Sequence, residues 1–66
     1  MQPGDRIELI RMPQDPDPIP PGTQGTIESV DHIIWGDRSF DQVWVNWDNG
    51  RMISAIIPPD VVRVIS

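Results

Sequence analysis

The chain has 66 residues, no cysteine and no lysine, with ten acidic side chains against five arginines and a formal net charge of −5. A chain this short forms one compact unit, residues 1–66, that buries only about 60% of its unfolded surface, and the lack of cysteine excludes disulfide staples and Cys-ligated zinc. The acidic balance disfavours a long nucleic acid, whose phosphates call for a basic face.

Eight prolines and five glycines interrupt every stretch in which a 3.6-residue period might be sustained, so short strands joined by loops are expected. No apolar run approaches the roughly 20 residues that cross a bilayer, and no secretory pattern opens the chain. The expected setting is therefore the cytoplasm.

The first predicted strand is Arg6–Met12. Ile7 and Leu9 share one face, and the apolar parity then switches to Ile10 and Met12, which predicts a bulge or a strand leaving the sheet. Pro13–Pro21 reads PQDPDPIPP, and its five prolines make it a stiffened, extended loop. It suits either a solvated connection or the rigid wall of a groove. The second strand, Thr26–Val30, places Ile27 and Val30 in the core despite their different parity, so a local irregularity is required.

Residues 33–42 (IIWGDRSFDQ) leave two forms open, a long loop or two short extra strands turning at Gly36-Asp37. The third strand, Val43–Trp47, alternates, with Val43, Val45 and Trp47 inward and Trp44 and Asn46 outward. Asp48-Asn49-Gly50-Arg51 predicts a hairpin with a type I′ turn into a fourth strand, Met52–Ile57. Pro58-Pro59-Asp60 is expected as one 3₁₀-like turn. Val61–Ile65 is the last strand, with Val62 and Val64 inward. The expected architecture is all-β: a small five-stranded SH3-like barrel, with a Pro-rich loop and an inserted loop or hairpin before strand three. An OB-like barrel ranks second because it needs more residues.

GDRIELIRMP leading into DPDPIPPGTQGTIESVD, followed by VNWDNGR and IIP, resembles a family of short bacterial and phage proteins, domain of unknown function 4314. The resemblance spans most of the chain. It implies an SH3-like barrel and a phage or mobile-element setting, and it implies no activity. Compared with the family pattern, HIIWGDRSFDQVW is an insertion that adds Trp35, Arg38 and Phe40. The start of the chain and its PG-x-x-G turn also resemble a short motif of RNA-binding transcription elongation factors. Carrying RNA binding over conflicts with the acidic charge.

Trp35, Arg38, Phe40 and Trp44 lie within ten residues of one another. Aromatics beyond the needs of a small core can stack on a planar ligand or anchor a protein interface, and arginine meets a phosphate or carboxylate. The competing expectation is that Trp35 and Phe40 simply cover one end of the barrel. Arg11 and Arg51 complete the candidate binding set. His32 lacks the nucleophile spacing that a general base requires, so no catalytic residue is assigned. The carboxylates at 15, 17, 31, 37 and 41 lack the spacing of a calcium loop, and no cofactor motif is present. The expected function is binding without catalysis by a homo-oligomer, either sequestering a small nucleotide-like ligand or docking on a host or viral protein.

Overall fold

A computed structural model describes residues 1–66. Its strands are β1 (Arg6–Arg11), β2 (Gln24–Trp35), β3 (Arg38–Trp47), β4 (Ser54–Ile57) and β5 (Val61–Val64). All pairings are antiparallel, in one sheet of order β4-β3-β2-β1-β5. β5 returns to lie beside β1, while β4 and β5 share no ladder, so the small SH3-like barrel stays open along that seam. No helix long and apolar enough to cross a membrane is present.

Both parity changes in the sequence are bulges. The β1–β5 register shifts between Leu9 and Arg11, so Ile10 stays outward by simple alternation while Met12 follows Ile7 and Leu9 into the core. The β2–β3 register shifts between Ile27 and Ser29, so that Val30 packs on the same core as Ile27. One extra residue re-aims everything after it, because side chains alternate with a period of two.

The core gathers Ile7, Leu9, Ile27, Val43, Val45 and Trp47 from three strands, with Ala55 from β4. Trp47 is its largest member, and its indole Nε1 donates to the Ile53 carbonyl at 3.0 Å. Gly25 lies opposite Trp47 in the ladder. A Cβ there would come within 2.7 Å of Val45 Cγ1 and 3.0 Å of Trp47 Cε3, so only glycine lets the backbone approach this closely.

The Pro-rich loop also contributes to the core. Its exposed prolines flank Ile19, which is fully buried. Arg51 holds the loop from outside, donating from Nη2 to the Asp17 carbonyl at 2.9 Å and from Nη1 to the Pro18 carbonyl at 3.4 Å. The expectation of a purely solvated connection therefore fails at one residue, for want of any other side chain to close that part of the core.

Two turns differ from expectation. The β3–β4 loop has a positive φ at Gly50 but not at Asn49, so it is not type I′. Gly50 N donates to the Trp47 carbonyl at 3.0 Å and Trp47 N to the Arg51 carbonyl at 3.1 Å, which is the three-residue loop ending in a left-handed glycine. Regular pairing resumes only at Ser54, so β4 starts two residues later than expected. After β4, Pro58-Pro59 form a turn, not a 3₁₀ segment, and the buried Asp60 closes it. The Asp60 carboxylate accepts from Ile56 N, and Asp60 N donates to the Ile56 carbonyl, both at 2.9 Å. On β5, Val62 packs on the core, whereas Val64 is 48% exposed at the end of an edge strand.

Of the two forms open for residues 33–42, the structure takes the hairpin. β2 and β3 continue without interruption to Trp35↔Arg38, with Gly36-Asp37 as the two-residue turn. Gly36 has φ +65° and Asp37 a negative φ, the pattern of a type II′ turn. β1 accompanies β2 only near its start, and β4 pairs with β3 only from Asp41 to Trp44. Residues 33–40 therefore form a two-stranded ribbon that runs beyond the rest of the sheet.

Candidate functional site

Directly opposed residues of an antiparallel pair project to the same face. The β2–β3 register sets Trp35 opposite Arg38 and Ile33 opposite Phe40, on the face that also carries Gln42 and Trp44. The reverse face carries Ile34 opposite Ser39 and His32 opposite Asp41. Trp35 is 76% exposed, Arg38 is exposed and Phe40 is half-buried. An aromatic pair and a cation thus share one side of a ribbon that the core does not reach.

The arginines divide by what they hold. Arg6 grips Asp48 with both guanidinium arms, at 2.9 and 2.6 Å, and donates to the Thr26 hydroxyl at 3.1 Å. That hydrogen bond, with the charge behind it, lowers the Asp48 carboxyl below its ordinary range and raises Arg6. Arg51 holds the Pro-rich loop, and Arg63 pairs with Glu8. Arg38 and Arg11 enter no hydrogen bond or ion pair through their side chains, which leaves these two guanidinium groups available to a ligand.

Three surface concavities adjoin one another, two of them at the ribbon. One, of about 530 Å³, is bounded by Trp35, Gly36, Asp37, Arg38 and Phe40. A second, of about 450 Å³, shares Arg38 and Phe40 with it and adds Ile56, Pro58, Pro59 and Gln14. The third, of about 260 Å³, shares Gln14, Ile56 and Pro59 with the second and ends at Asp15, Ser54 and Asp60. Shared walls make them one open groove from the ribbon tip to the Pro-rich loop. Phe40 and Ile56 project from the same face, since Ile56 is opposite Gln42 and Gln42 lies two residues from Phe40.

The six candidate residues separate in space. Trp35, Arg38 and Phe40 come together along the groove. Trp44 lies on the same face, 41% exposed as its parity predicts, but its indole donates to Asp31 Oδ2 on β2 at 3.3 Å, away from the groove. Arg51 sits at the other end of β3 with its guanidinium occupied, and Arg11 lies on β1 beside Val61. His32 is exposed, with Nδ1 2.7 Å from Asp41 Oδ1. No group of three or more His, Asp or Glu side chains converges in a way that could hold a metal ion.

Sequence reasoning missed Ile56, Pro58 and Pro59. Their place in the groove depends on where the β4–β5 turn packs, and no local pattern carries that. Gln14 and Asp15 fit the groove-wall alternative for the Pro-rich loop. Over residues 1–65 the chain matches the family described as Domain of unknown function (DUF4314), and it belongs to that family. No curated protein and no solved structure matches it.

Proposed function

We propose that this protein is a non-catalytic docking module that recognises another protein through the outer face of its β2–β3 ribbon. The observation that carries the reading is the placement of Trp35, 76% exposed, beside an unpaired Arg38 on a segment outside the core. Aromatic and arginine side chains dominate binding energy at protein interfaces, where each anchors in a pocket of the partner. The groove is open along its length, whereas a small-molecule site usually encloses most of its ligand. A protein surface can cover an open groove without that enclosure. The proposed setting, on the family resemblance, is a phage or mobile element acting in the bacterial cytoplasm.

A second reading is favoured by one observation, the placement of Trp35, Phe40 and the unpaired guanidinium of Arg38 on one face around one concavity. A nucleotide-like anion would fit there if a second copy closed the groove, and this version requires a homo-oligomer. The test separates the two readings. Tagged protein is expressed in a bacterial host, cross-linked and identified by mass spectrometry, beside a Trp35→Ser, Phe40→Ser variant. A specific host or viral protein that is lost in the variant supports docking. Native mass spectrometry showing an oligomer with a retained nucleotide mass and no protein partner would replace docking with the second reading.

A further inference from the structure

We propose that the groove from Asp15 to Trp35 takes an extended peptide segment of the partner, with an acidic residue at the Arg38 end and a basic residue at the Asp15 end. This rests on the docking reading and narrows it to a class of partner. Three features carry it.

The first is shape. Arg38 and Trp44 are separated by six residues of β3, and Ser54, at the far end of the groove, is opposite Trp44. At about 3.4 Å per strand residue the groove spans roughly 20 Å, the length of about six residues in extended form. Its middle is apolar, built of Phe40, Ile56, Pro58 and Pro59.

The second is an unpaired backbone edge. The β3–β4 ladder stops at Asp41↔Ile57, and the two residues that would continue β4 are Pro58 and Pro59, which have no N–H to give. On that side the edge of β3 beyond Asp41 therefore has no ladder partner, and Ser39, alternating with Arg38 and Phe40 that face β2, presents its N–H and C=O there. An extended peptide can supply main-chain hydrogen bonds there while alternate side chains enter the groove.

The third is charge. Arg38 is an unpaired cation at one end, set on the groove face by its place opposite Trp35, while the Asp37 carboxylate beside it belongs to the turn. At the other, Asp15 uses Oδ1 to accept from Asp17 N at 2.9 Å and leaves Oδ2 open. A dipolar peptide meets both ends with opposite charge, and its basic end is also attracted by the net charge of −5.

The probe is a phage-displayed library of random eight-residue peptides, panned on the full chain and on Arg38→Glu and Asp15→Asn variants. Arg38 is exposed and makes no contact that folding uses, and asparagine keeps the oxygen that accepts from Asp17. The wild-type protein is expected to enrich sequences with Asp or Glu at one end, apolar or proline residues in the middle, and Lys or Arg at the other end. Arg38→Glu is expected to weaken a synthetic wild-type peptide at least tenfold and to select a basic residue in place of the acidic one. Asp15→Asn is expected to erase only the basic preference. Absence of enrichment, or an enriched pattern unmoved by Arg38→Glu, would overturn the proposal. So would sedimentation of the free protein as a dimer that Trp35→Ser dissociates, since a second copy would then be the occupant. If the library enriches nothing while partner capture still depends on Trp35 and Phe40, the peptide groove falls and docking stands. If capture is also unaffected, both fall.

Discussion

At the base of the β2–β3 hairpin, Ile27, Val43, Val45 and Trp47 are almost wholly buried, whereas at its tip Ile34 and Trp35 are 73% and 76% exposed. The two halves have similar apolar content and are joined by one continuous ladder. What differs is the neighbourhood. The base is flanked by β1 and β4 and capped by Ile19, while the tip has no ladder partner beyond its own hairpin. An isolated two-stranded hairpin is marginally stable by itself, so the tip borrows its order from the base, and of its apolar side chains only Ile33 and Phe40 are even half-buried. Apolar side chains that do not serve the fold are free to serve recognition.

The sharpest test of this division is a matched pair of tryptophans. Trp47→Ala removes the largest core side chain and orphans the Ile53 carbonyl, at an expected cost of about 3–5 kcal/mol. In a domain this small that approaches the whole stability, and the variant is expected to lose its dispersed amide spectrum. Trp35→Ala is expected to stay within about 0.5 kcal/mol of the parent in chemical denaturation. Comparable losses at both positions would break the comparison, because the ribbon would then belong to the cooperative core.

A pair of isoleucines gives the next largest contrast. Ile19→Ala is expected to cost about 2–4 kcal/mol in urea unfolding, since its side chain is fully buried. Ile34→Ala, on the exposed ribbon, is expected to change the midpoint by little more than experimental scatter.

These two isoleucines also mark how far the sequence could be read. Ile19 sits among prolines in a stretch with every local mark of a loop, and its burial follows from closure of the barrel by distant residues such as Arg51. Local parity carries no such information. By contrast, Val43, Val45 and Trp47 were legible because alternation over a regular strand is a local signal, and the bulges at Ile10 and Glu28 were legible as breaks in that signal. The Asn49-Gly50 pair announced a hairpin and misled on its turn type, since a left-handed glycine serves both the two-residue and the three-residue loop. At the candidate site, Trp35, Arg38 and Phe40 stood out by composition, but their groove partners Ile56, Pro58 and Pro59 did not. Those three arrive through packing between segments nearly twenty residues apart.

The smallest expected effect concerns the ion pair of Arg6 with Asp48 at the base of the hairpin. Arg6 hydrogen-bonds the Asp48 carboxylate and lowers its pKa below that of the unfolded chain. A group depressed in this way adds stability above the unfolded aspartate value, near 4, and that contribution is lost as pH falls through the lower folded value. Arg6 is shifted upward and stays charged throughout the acid range. The urea midpoint of the parent is therefore expected to fall on going from pH 6 to pH 3, and Asp48→Asn is expected to remove part of that fall. Both side chains are in contact with solvent, so the difference should be small and should shrink in salt. Asp41→Asn, where the ribbon leaves the sheet, is the counterpart, because it breaks a contact with His32 that lies outside the core. If Asp41→Asn lowered the urea midpoint and Asp48→Asn did not, stability would be stored where the ribbon leaves the sheet and not at the base. The ribbon would then be a structural element, and its aromatics would lose their claim to be surplus.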